Sequence, residues 1–371
     1  MKVIIAYAST GAGHFKAAEA IYFYLKENCP GIEAHLVDIF DKASTFSNFL
    51  CLGGYSFLVK RAPLLWRFVF GTTDSIILRK YLRKIIIGLI LLNAQRFFRC
   101  IIEENPDQVV CTHFFPSLAC SRLKTSGKAN FRLTTVITDF TVHPLWVARG
   151  TDLYITGSKL TKEQLVQEGV APDIIKDSGI PIHQKFLRIF EREGLCKKLG
   201  TSTDKFTVLV ITGSFGIGPI EEIVQLLHKD IQLLIVCANN KKLFARLKEK
   251  NYSNVLVFGF VNNIQELMAA SDLIITKPGG VTISEILAME LTPLFISIIP
   301  GQEAGNVSVL KKYGVGLKPQ STQEIRNMVL DFRDHPDKLK SMKENIKKIS
   351  KPNCLKEILN VVCQGSAGVT C

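Results

Sequence analysis

Thr276-Lys277-Pro278-Gly279-Gly280-Val281-Thr282-Ile283-Ser284-Glu285, followed by Pro300-Gly301-Gln302-Glu303-Ala304-Gly305-Asn306, is the stretch on which the fold turns. Leu273 to Thr276 ends a short apolar run and reads as a buried strand. Two glycines then allow a sharp turn, and Ile283, Ile286, Leu287 and Met289 have the spacing of a buried helix face. Strand, glycine turn and helix in this order predict an α/β unit. The free amides of such a helix start, aided by the helix dipole, attract phosphate. Glu285, one turn in, is suited to accept hydrogen bonds from two adjacent sugar hydroxyls. The second segment places Gln302, Glu303 and Asn306 on what reads as a loop after the next strand, at the sheet edge where doubly wound folds bind ligands. A glycine pair between strand and helix is common in any α/β protein. Two successive loops converging on one edge point more specifically to a nucleotide sugar.

Three other segments share the same pattern. Gly213-Ser214-Phe215-Gly216 comes after the strand Phe206 to Thr212 and is expected to head the helix Ile220 to His228 as a second anion site. Ser9-Thr10-Gly11-Ala12-Gly13-His14 ends the first strand, Val3 to Ala8, and opens the helix Phe15 to Glu27. Position 16 is Lys, so the G-x-G-x-x-G dinucleotide fingerprint is not met. His14 lies at that helix start, where the dipole disfavours imidazolium, so it is expected to be neutral and able to act as a base. Thr138-Asp139-Phe140-Thr141-Val142-His143-Pro144-Leu145-Trp146 also comes after a strand. Asp139 either orients an acceptor hydroxyl or serves as a second base, or it is a structural cap. His113, after the strand Asp107 to Thr112, reads more readily as a packed loop histidine.

The remaining elements alternate in the same way, with strands at Glu33 to Asp38, Phe131 to Thr138, Leu153 to Thr156, Leu233 to Cys237, Val255 to Phe258 and Leu294 to Ile298. Parallel sheets are therefore expected in both halves. The chain has 371 residues, which is long for one core, and Gly179-Ile180-Pro181-Ile182 reads as the exit from a first domain. The expected division is 1–181, 182–350 and a terminal helix in 351–371. A charged stretch, Arg188 to Lys205, separates the halves, and the tail from Thr322 is helical with interruptions at Pro336 and Pro352.

The net charge is +13, and residues 57–99 hold nine Lys or Arg against one acid, Asp74. Trp66, Phe68 and Phe70 are interleaved with these cations. The apolar run Ile85 to Leu92 is far shorter than the ~20 residues a membrane span needs. Basic and aromatic residues together fit the surface of an anionic membrane. No helix-turn-helix, zinc or RNA-binding signature supports nucleic acid as the partner. The ten cysteines show no C-x-x-C pair, and the N-terminus reads as a strand and not as a signal peptide, so a cytosolic, reduced protein is expected. No Asp-x-Asp pair ends a strand, and no H-E-x-x-H or Walker A pattern occurs, so neither a metal nor another cofactor is expected.

Gly11-Ala12-Gly13-His14 with Ala17-Ala18, Val136-Ile137-Thr138-Asp139 with His143-Pro144 and Trp146, Gly179-Ile180-Pro181-Ile182, Lys277-Pro278-Gly279-Gly280, and Pro300-Gly301-Gln302-Glu303 with Asn306 occur in one order over residues 1 to about 320. In this combination the chain resembles the family of monogalactosyldiacylglycerol synthases and processive diacylglycerol glucosyltransferases, related to the peptidoglycan GlcNAc transferase. The resemblance implies a GT-B fold: two Rossmann-like domains facing a cleft, with the lipid acceptor on the first and a UDP-sugar on the second. It implies inverting hexosyl transfer to diacylglycerol on the cytosolic face of the membrane, by a peripheral enzyme. Alternatives within the same architecture are GlcNAc transfer to a polyprenyl-linked acceptor and UDP-GlcNAc 2-epimerisation.

By resemblance, His14 is the base and Gly13 lines the donor. Glu285 holds the ribose hydroxyls. Gln302, Glu303 and Asn306 lie near the sugar. Gly280, Val281 and Thr282 form the diphosphate-binding helix start, with Ser214 and Phe215 on the opposite wall and Phe260 and Val261 at the uracil. His183 departs from the family pattern, which has Arg after Gly-x-Pro-x. Arginine binds a diphosphate bidentately at any pH, whereas histidine, with an ordinary pKa of about 6.5, is mostly neutral at pH 7. His183→Arg is therefore expected to tighten UDP binding several-fold. Unchanged affinity by calorimetry would show that this position does not touch the diphosphate.

Overall fold

A computed structural model describes residues 1–9, 11–41, 87–88, 91 and 94–363. Thr10 and most of the basic, aromatic stretch 57–99 lie outside the described residues. The chain divides into two compact units. The first comprises Met1–His183, Pro300–Gln302 and the tail from Asn353, and the second comprises Gln184–Ile299 and Glu303–Pro352.

The first unit is built on β1 (Lys2–Tyr7), β2 (Glu33–Asp38), β3 (Gln108–Cys111), β4 (Arg132–Val136), β5 (Leu153–Ile155) and β6 (Ile175–Lys176), all parallel, in the order β2-β1-β3-β4-β5-β6. The helices α1 (Ala12–Asn28), α2 (Gln95–Glu104), α3 (Phe114–Thr125) and α4 (Lys159–Gln167) connect them. β1, β3 and β4 are buried along nearly their whole length, including the polar Gln108, Thr134 and Thr135, as a parallel sheet covered on both faces requires. The helix α3 was not expected from the sequence. Its start, Phe114-Phe115-Pro116, reads as an irregular apolar turn until His113 is seen to cap it.

The second unit opens with α5 (Arg192–Leu199), inside the charged stretch that reads as a linker in sequence. Its strands β7 (Thr207–Ile211), β8 (Gln232–Val236), β9 (Val255–Phe258), β10 (Leu273–Thr276) and β11 (Thr292–Phe295) are parallel, in the order β11-β10-β7-β8-β9. Between them run α6 (Ile220–Leu227), α7 (Lys241–Glu249), α8 (Ile264–Ala269) and α9 (Gly280–Ala288). They are followed by α10 (Gln302–Lys312), α11 (Thr322–Asp334) and α12 (Pro336–Ile349). The helical tail is interrupted at Pro336 as expected: α11 ends at Asp334 and Pro336 opens α12 at its first turn, where a missing N–H costs nothing. The strand expected to reach Ile298 stops at Phe295, and Ser297 turns the chain with φ +50°.

In each sheet the chain reverses its direction of travel at the first strand. The switch points lie between β1 and β3 in the first unit and between β7 and β10 in the second. Ligands of doubly wound folds bind outside the carboxyl ends of strands at such points.

The last helix, α13 (Cys354–Cys363), belongs to the first unit. Cys354, Leu355, Ile358, Leu359, Val361 and Val362 pack with Val3, Ile5, Ala18, Ile21, Val110 and Val136. Its terminal carbonyls, which a helix cannot satisfy internally, accept bonds from Gln108 Nε2 (to Val362, 2.6 Å) and Arg132 (to Val361, 3.3 Å). Ser178 Oγ donates to Glu357 at 2.5 Å. The first unit thus depends on residues from the far end of the chain. Ile358→Ala, at a fully buried position, is expected to lower stability by about 3 kcal/mol, measured by urea denaturation. A loss under about 1 kcal/mol would show that α13 is only loosely docked.

Candidate active site

The register of the first sheet brings three chain segments to one place. Ala6 pairs with Cys111, and Cys111 with Thr135, so the turn after β1, the Thr112-His113 pair after β3 and the Thr138-Asp139 pair after β4 leave the sheet side by side. His14 is the third residue of α1, one turn from the end of β1. Its Nδ1 lies 3.1 Å from the Thr112 carbonyl oxygen and 2.8 Å from Thr138 Oγ1. Thr112 Oγ1 donates in turn to the His14 carbonyl at 2.9 Å, which fastens the helix start to β3.

His14 is half-buried, and its pKa lies below the ordinary value. The leading cause is burial, which penalises the imidazolium. The Asp139 charge and the Thr112 carbonyl pull the other way. Neutrality was expected from the helix dipole. The structure assigns it first to desolvation.

His113 is the N-cap of α3: its Nδ1 accepts the Phe115 N–H at 3.0 Å. Its ring stands edge-on to that of His14, centroids 4.4 Å apart, and stacks on Phe114 at 4.3 Å. Burial holds it well below the ordinary histidine range, and the adjacent His14 adds to this. His143 likewise accepts a backbone N–H, from Leu145, at the start of the short turn Pro144–Trp146. Both are structural caps. Asp139 is buried beside Thr138 and acts on His14 through its charge. Gly13 is the residue before His14 in the first turn of α1.

In the second unit the decisive contrast is between two helix starts. α9 begins at Gly280 with Gly279 as an extended N-cap, no capping side chain and no acid in its first turn. The amides of Gly280, Val281 and Thr282 thus head the helix without a side-chain cap, as an anion site requires. Ser284 Oγ turns back to the Gly280 carbonyl at 3.1 Å, and Glu285 is half-buried one turn in.

The turn Gly213–Gly216 does not head its helix as expected. α6 starts only at Ile220, after Pro219, which has no N–H, and carries Glu221 and Glu222 in its first turn. These acids already complement the dipole, so α6 is not an anion site. The turn is instead pressed against the end of β8. Gly216 has φ +55°, and a Cβ there would meet the Cys237 carbonyl at 2.5 Å. Asn240 holds the turn by donating to the Gly216 carbonyl at 3.0 Å, while its Oδ1 caps α7. Ser214 is half-buried and Phe215 is 61% exposed. After β9, Phe260 is 65% exposed and Val261 half-buried.

Gln302, Glu303 and Asn306, expected on a loop, form the first turns of α10. Glu303 Oε2 accepts the Ile299 N–H at 2.7 Å, closing the turn before the helix. Asn306 is fully buried and donates to the Pro278 carbonyl at 3.0 Å. Its amide thus holds the Lys277–Gly280 turn. His183 is half-buried in the first unit, its ring centroid 6.2 Å from that of Phe23. Thr112, Thr138 and Asn240 were not singled out from sequence. The available signal was their position, one residue or a few beyond the end of a strand.

Two Rossmann-like parallel sheets, each with polar residues gathered at its switch point, are the fold class of GT-B glycosyltransferases. Among solved structures, MurG from Acinetobacter baumannii is similar with a TM-score of 0.63 at 14% identity, covering 98% of this chain and 99% of that one. UDP-GlcNAc 2-epimerase from Neisseria meningitidis, bound to UDP-GlcNAc, is similar with a TM-score of 0.60 at 14% identity, over 98% and 100%. At such identity these likenesses concern the fold alone.

Residues 14–182 match the monogalactosyldiacylglycerol (MGDG) synthase family, and residues 207–358 the glycosyltransferase family 28 C-terminal domain. The processive diacylglycerol beta-glucosyltransferase of Staphylococcus epidermidis is 30% identical over 92% of this chain and 87% of its own length. That of Bacillus pumilus is 27% identical over 100% and 96%. The chain belongs to this family of glycolipid-forming glycosyltransferases.

The histidines have a consequence for stability. The unfolded state binds a proton near the ordinary pKa of about 6.5, whereas buried His113 and half-buried His14 resist it. Their neutral burial therefore stabilises the fold above about pH 6.5, and that contribution is lost as pH falls toward the lower folded pKa values. His113→Asn keeps an N-cap acceptor and removes one titrating ring. The variant is expected to lose less stability than the parent between pH 7.5 and 5.5, read as urea midpoints. Equal losses would mean that His113 is not kept neutral by the fold.

Proposed function

We propose that this protein is an inverting hexosyltransferase that moves a hexose from a UDP-sugar to 1,2-diacylglycerol, acting as a peripheral enzyme on the cytosolic face of a membrane. The carrying observation is His14 at the β1/β3 switch point, with its pKa lowered, its Nδ1 occupied and no hydrogen bond to its Nε2 among the described residues. Full-length similarity to processive diacylglycerol glucosyltransferases supports the acceptor and the donor class.

In this reading His14 Nε2 removes the proton from the acceptor hydroxyl as its oxygen attacks the anomeric carbon. The bond from that carbon to the UDP oxygen breaks, and the configuration inverts. The diphosphate's developing charge is met by the amides of Gly280, Val281 and Thr282 at the start of α9. Glu285 receives the ribose hydroxyls, and Phe260 and Val261 the base. Gln302 and Glu303 border the sugar. No metal is required by this scheme, so EDTA should leave turnover intact.

Among the described residues no helix is long and apolar enough to cross a membrane. Attachment is assigned to the basic, aromatic stretch 57–99, whose nine cations suit an anionic lipid surface.

Incubation with radiolabelled UDP-glucose, UDP-galactose or UDP-GlcNAc and diacylglycerol vesicles should yield a labelled lipid with one of the hexose donors. A labelled polyprenyl product, or an epimerised nucleotide sugar without any lipid product, would replace this reading. His14→Ala should lower transfer by about 10²- to 10⁴-fold with UDP affinity nearly unchanged. For the parent enzyme, kcat/KM should fall only below about pH 6.5, because the folded pKa of His14 is depressed. Retained turnover in His14→Ala would move the base role to Asp139.

A further inference from the structure

The hydrogen-bond pattern around His14 holds more information than its position. The Thr112 carbonyl oxygen can only accept, and it lies 3.1 Å from Nδ1. The Thr138 hydroxyl lies 3.3 Å from the same carbonyl and donates its single proton there. This turns an oxygen lone pair of Thr138 toward Nδ1, 2.8 Å away. Two acceptors therefore converge on one ring nitrogen, which satisfies both only if it carries the proton. In the opposite tautomer a nitrogen lone pair would face the carbonyl oxygen, and a Thr138 hydroxyl rotated to donate to Nδ1 would abandon Thr112. Thr138 is itself buried, and no hydrogen bond to Nε2 is formed among the described residues.

We infer that Thr138, acting with the Thr112 carbonyl, is the positioning residue that fixes His14 in its Nδ1–H tautomer and so places the reactive lone pair on Nε2. The inference deepens the proposed function, since a lone pair on Nε2 is what a base at this site needs. When Nε2 takes the acceptor's proton, the ring becomes cationic, and the same two acceptors strengthen their hold on Nδ1–H. The ring therefore gains support as charge develops, with no carboxylate bonded to it.

The other groups facing His14 act through space or by packing. The Asp139 charge favours the imidazolium, and the adjacent His113 ring is itself held neutral by burial and by the His14 charge. Trp146 lies with its ring centroid 6.5 Å away and carries no charge. None of these groups supplies an acceptor at Nδ1, so none selects the tautomer.

The direct test needs no transferase activity. Protein labelled with ¹⁵N-histidine, with the His14 signals assigned by their loss in His14→Gln, should show a protonated Nδ1 and a bare Nε2 at pH 8. A bare Nδ1 in the parent protein would overturn the inference, whatever the reaction is. Thr138→Val keeps the shape of the side chain but removes the acceptor. It should populate both tautomers and lower kcat by about tenfold or more, with the KM for the UDP-sugar little changed. Because the lost bond favours the charged ring, the acidic limb of kcat/KM should also move to lower pH. Thr138→Ser should restore the parent tautomer, rate and limb. If Thr138→Val keeps the Nδ1–H signature and the parent pH limb, Thr138 has only a packing role and the inference fails. If the parent tautomer is as inferred but no sugar is transferred to any lipid, the functional reading fails alone.

Discussion

The parallel register of β1, β3 and β4 is the constraint that generates the first unit's chemistry. A parallel sheet sends every strand end to the same edge, so groups distant in sequence become neighbours without any local motif joining them. His14 meets a carbonyl 98 residues away and a hydroxyl 124 residues away because of that register alone. A one-residue slip of β4 would reverse the face on which each side chain emerges and take Thr138 off the ring. The apolar filling of the strands fixes that register. Ile4, Ile5, Val109, Val110, Leu133 and Val136 are all fully buried, and none could turn outward without a large transfer penalty.

The second unit applies the same topology to a different end. Its two switch-point connections look alike in sequence, each a strand followed by glycines, yet they lead into different helix starts. α9 leaves its amides without a capping side chain. α6 fills the same place with Pro219, Glu221 and Glu222. Asn306 and Asn240 serve the two turns in parallel: each is an amide side chain from a helix start that holds a loop carbonyl. A polar group placed this way fixes the path of a short glycine-containing loop.

Much of this arrangement was legible in the sequence where the signal was local. The strands stood out as apolar runs, α9 by its glycine pair and helical spacing, and His14 by its place after the first turn. What escaped was set by contacts across the fold. His113 was readable as a packed histidine, but α3 behind it was hidden because its cap is an imidazole and its first turn contains Pro116. α5 was hidden by its charge, since only Cys196 of its residues is buried. The loop assigned to Gln302–Asn306 became helix because Glu303 closes the preceding turn on Ile299, a bond that spacing alone does not announce. Thr112 and Thr138 were quoted within motifs yet given no task, because a threonine after a strand is unremarkable until the residue opposite it is known.

The balance of forces on His14 explains why a threonine and a carbonyl, and not a carboxylate, occupy Nδ1. Burial lowers the pKa and keeps the ring neutral at rest, while the nearby Asp139 charge and the carbonyl bond limit the drop. A carboxylate hydrogen-bonded directly to Nδ1 would add a strong opposite charge at contact distance, where one pKa unit corresponds to about 1.4 kcal/mol. That would raise the pKa, leave more of the ring protonated near neutral pH and, in the proposed reaction, occupy the nitrogen that accepts. Neutral acceptors give the ring a direction without giving it a proton. Asp139, set back from the ring, supplies its charge through space. In the proposed reaction its stabilisation of the imidazolium matters most as the acceptor's proton is transferred, in a setting where burial has weakened the competition from water.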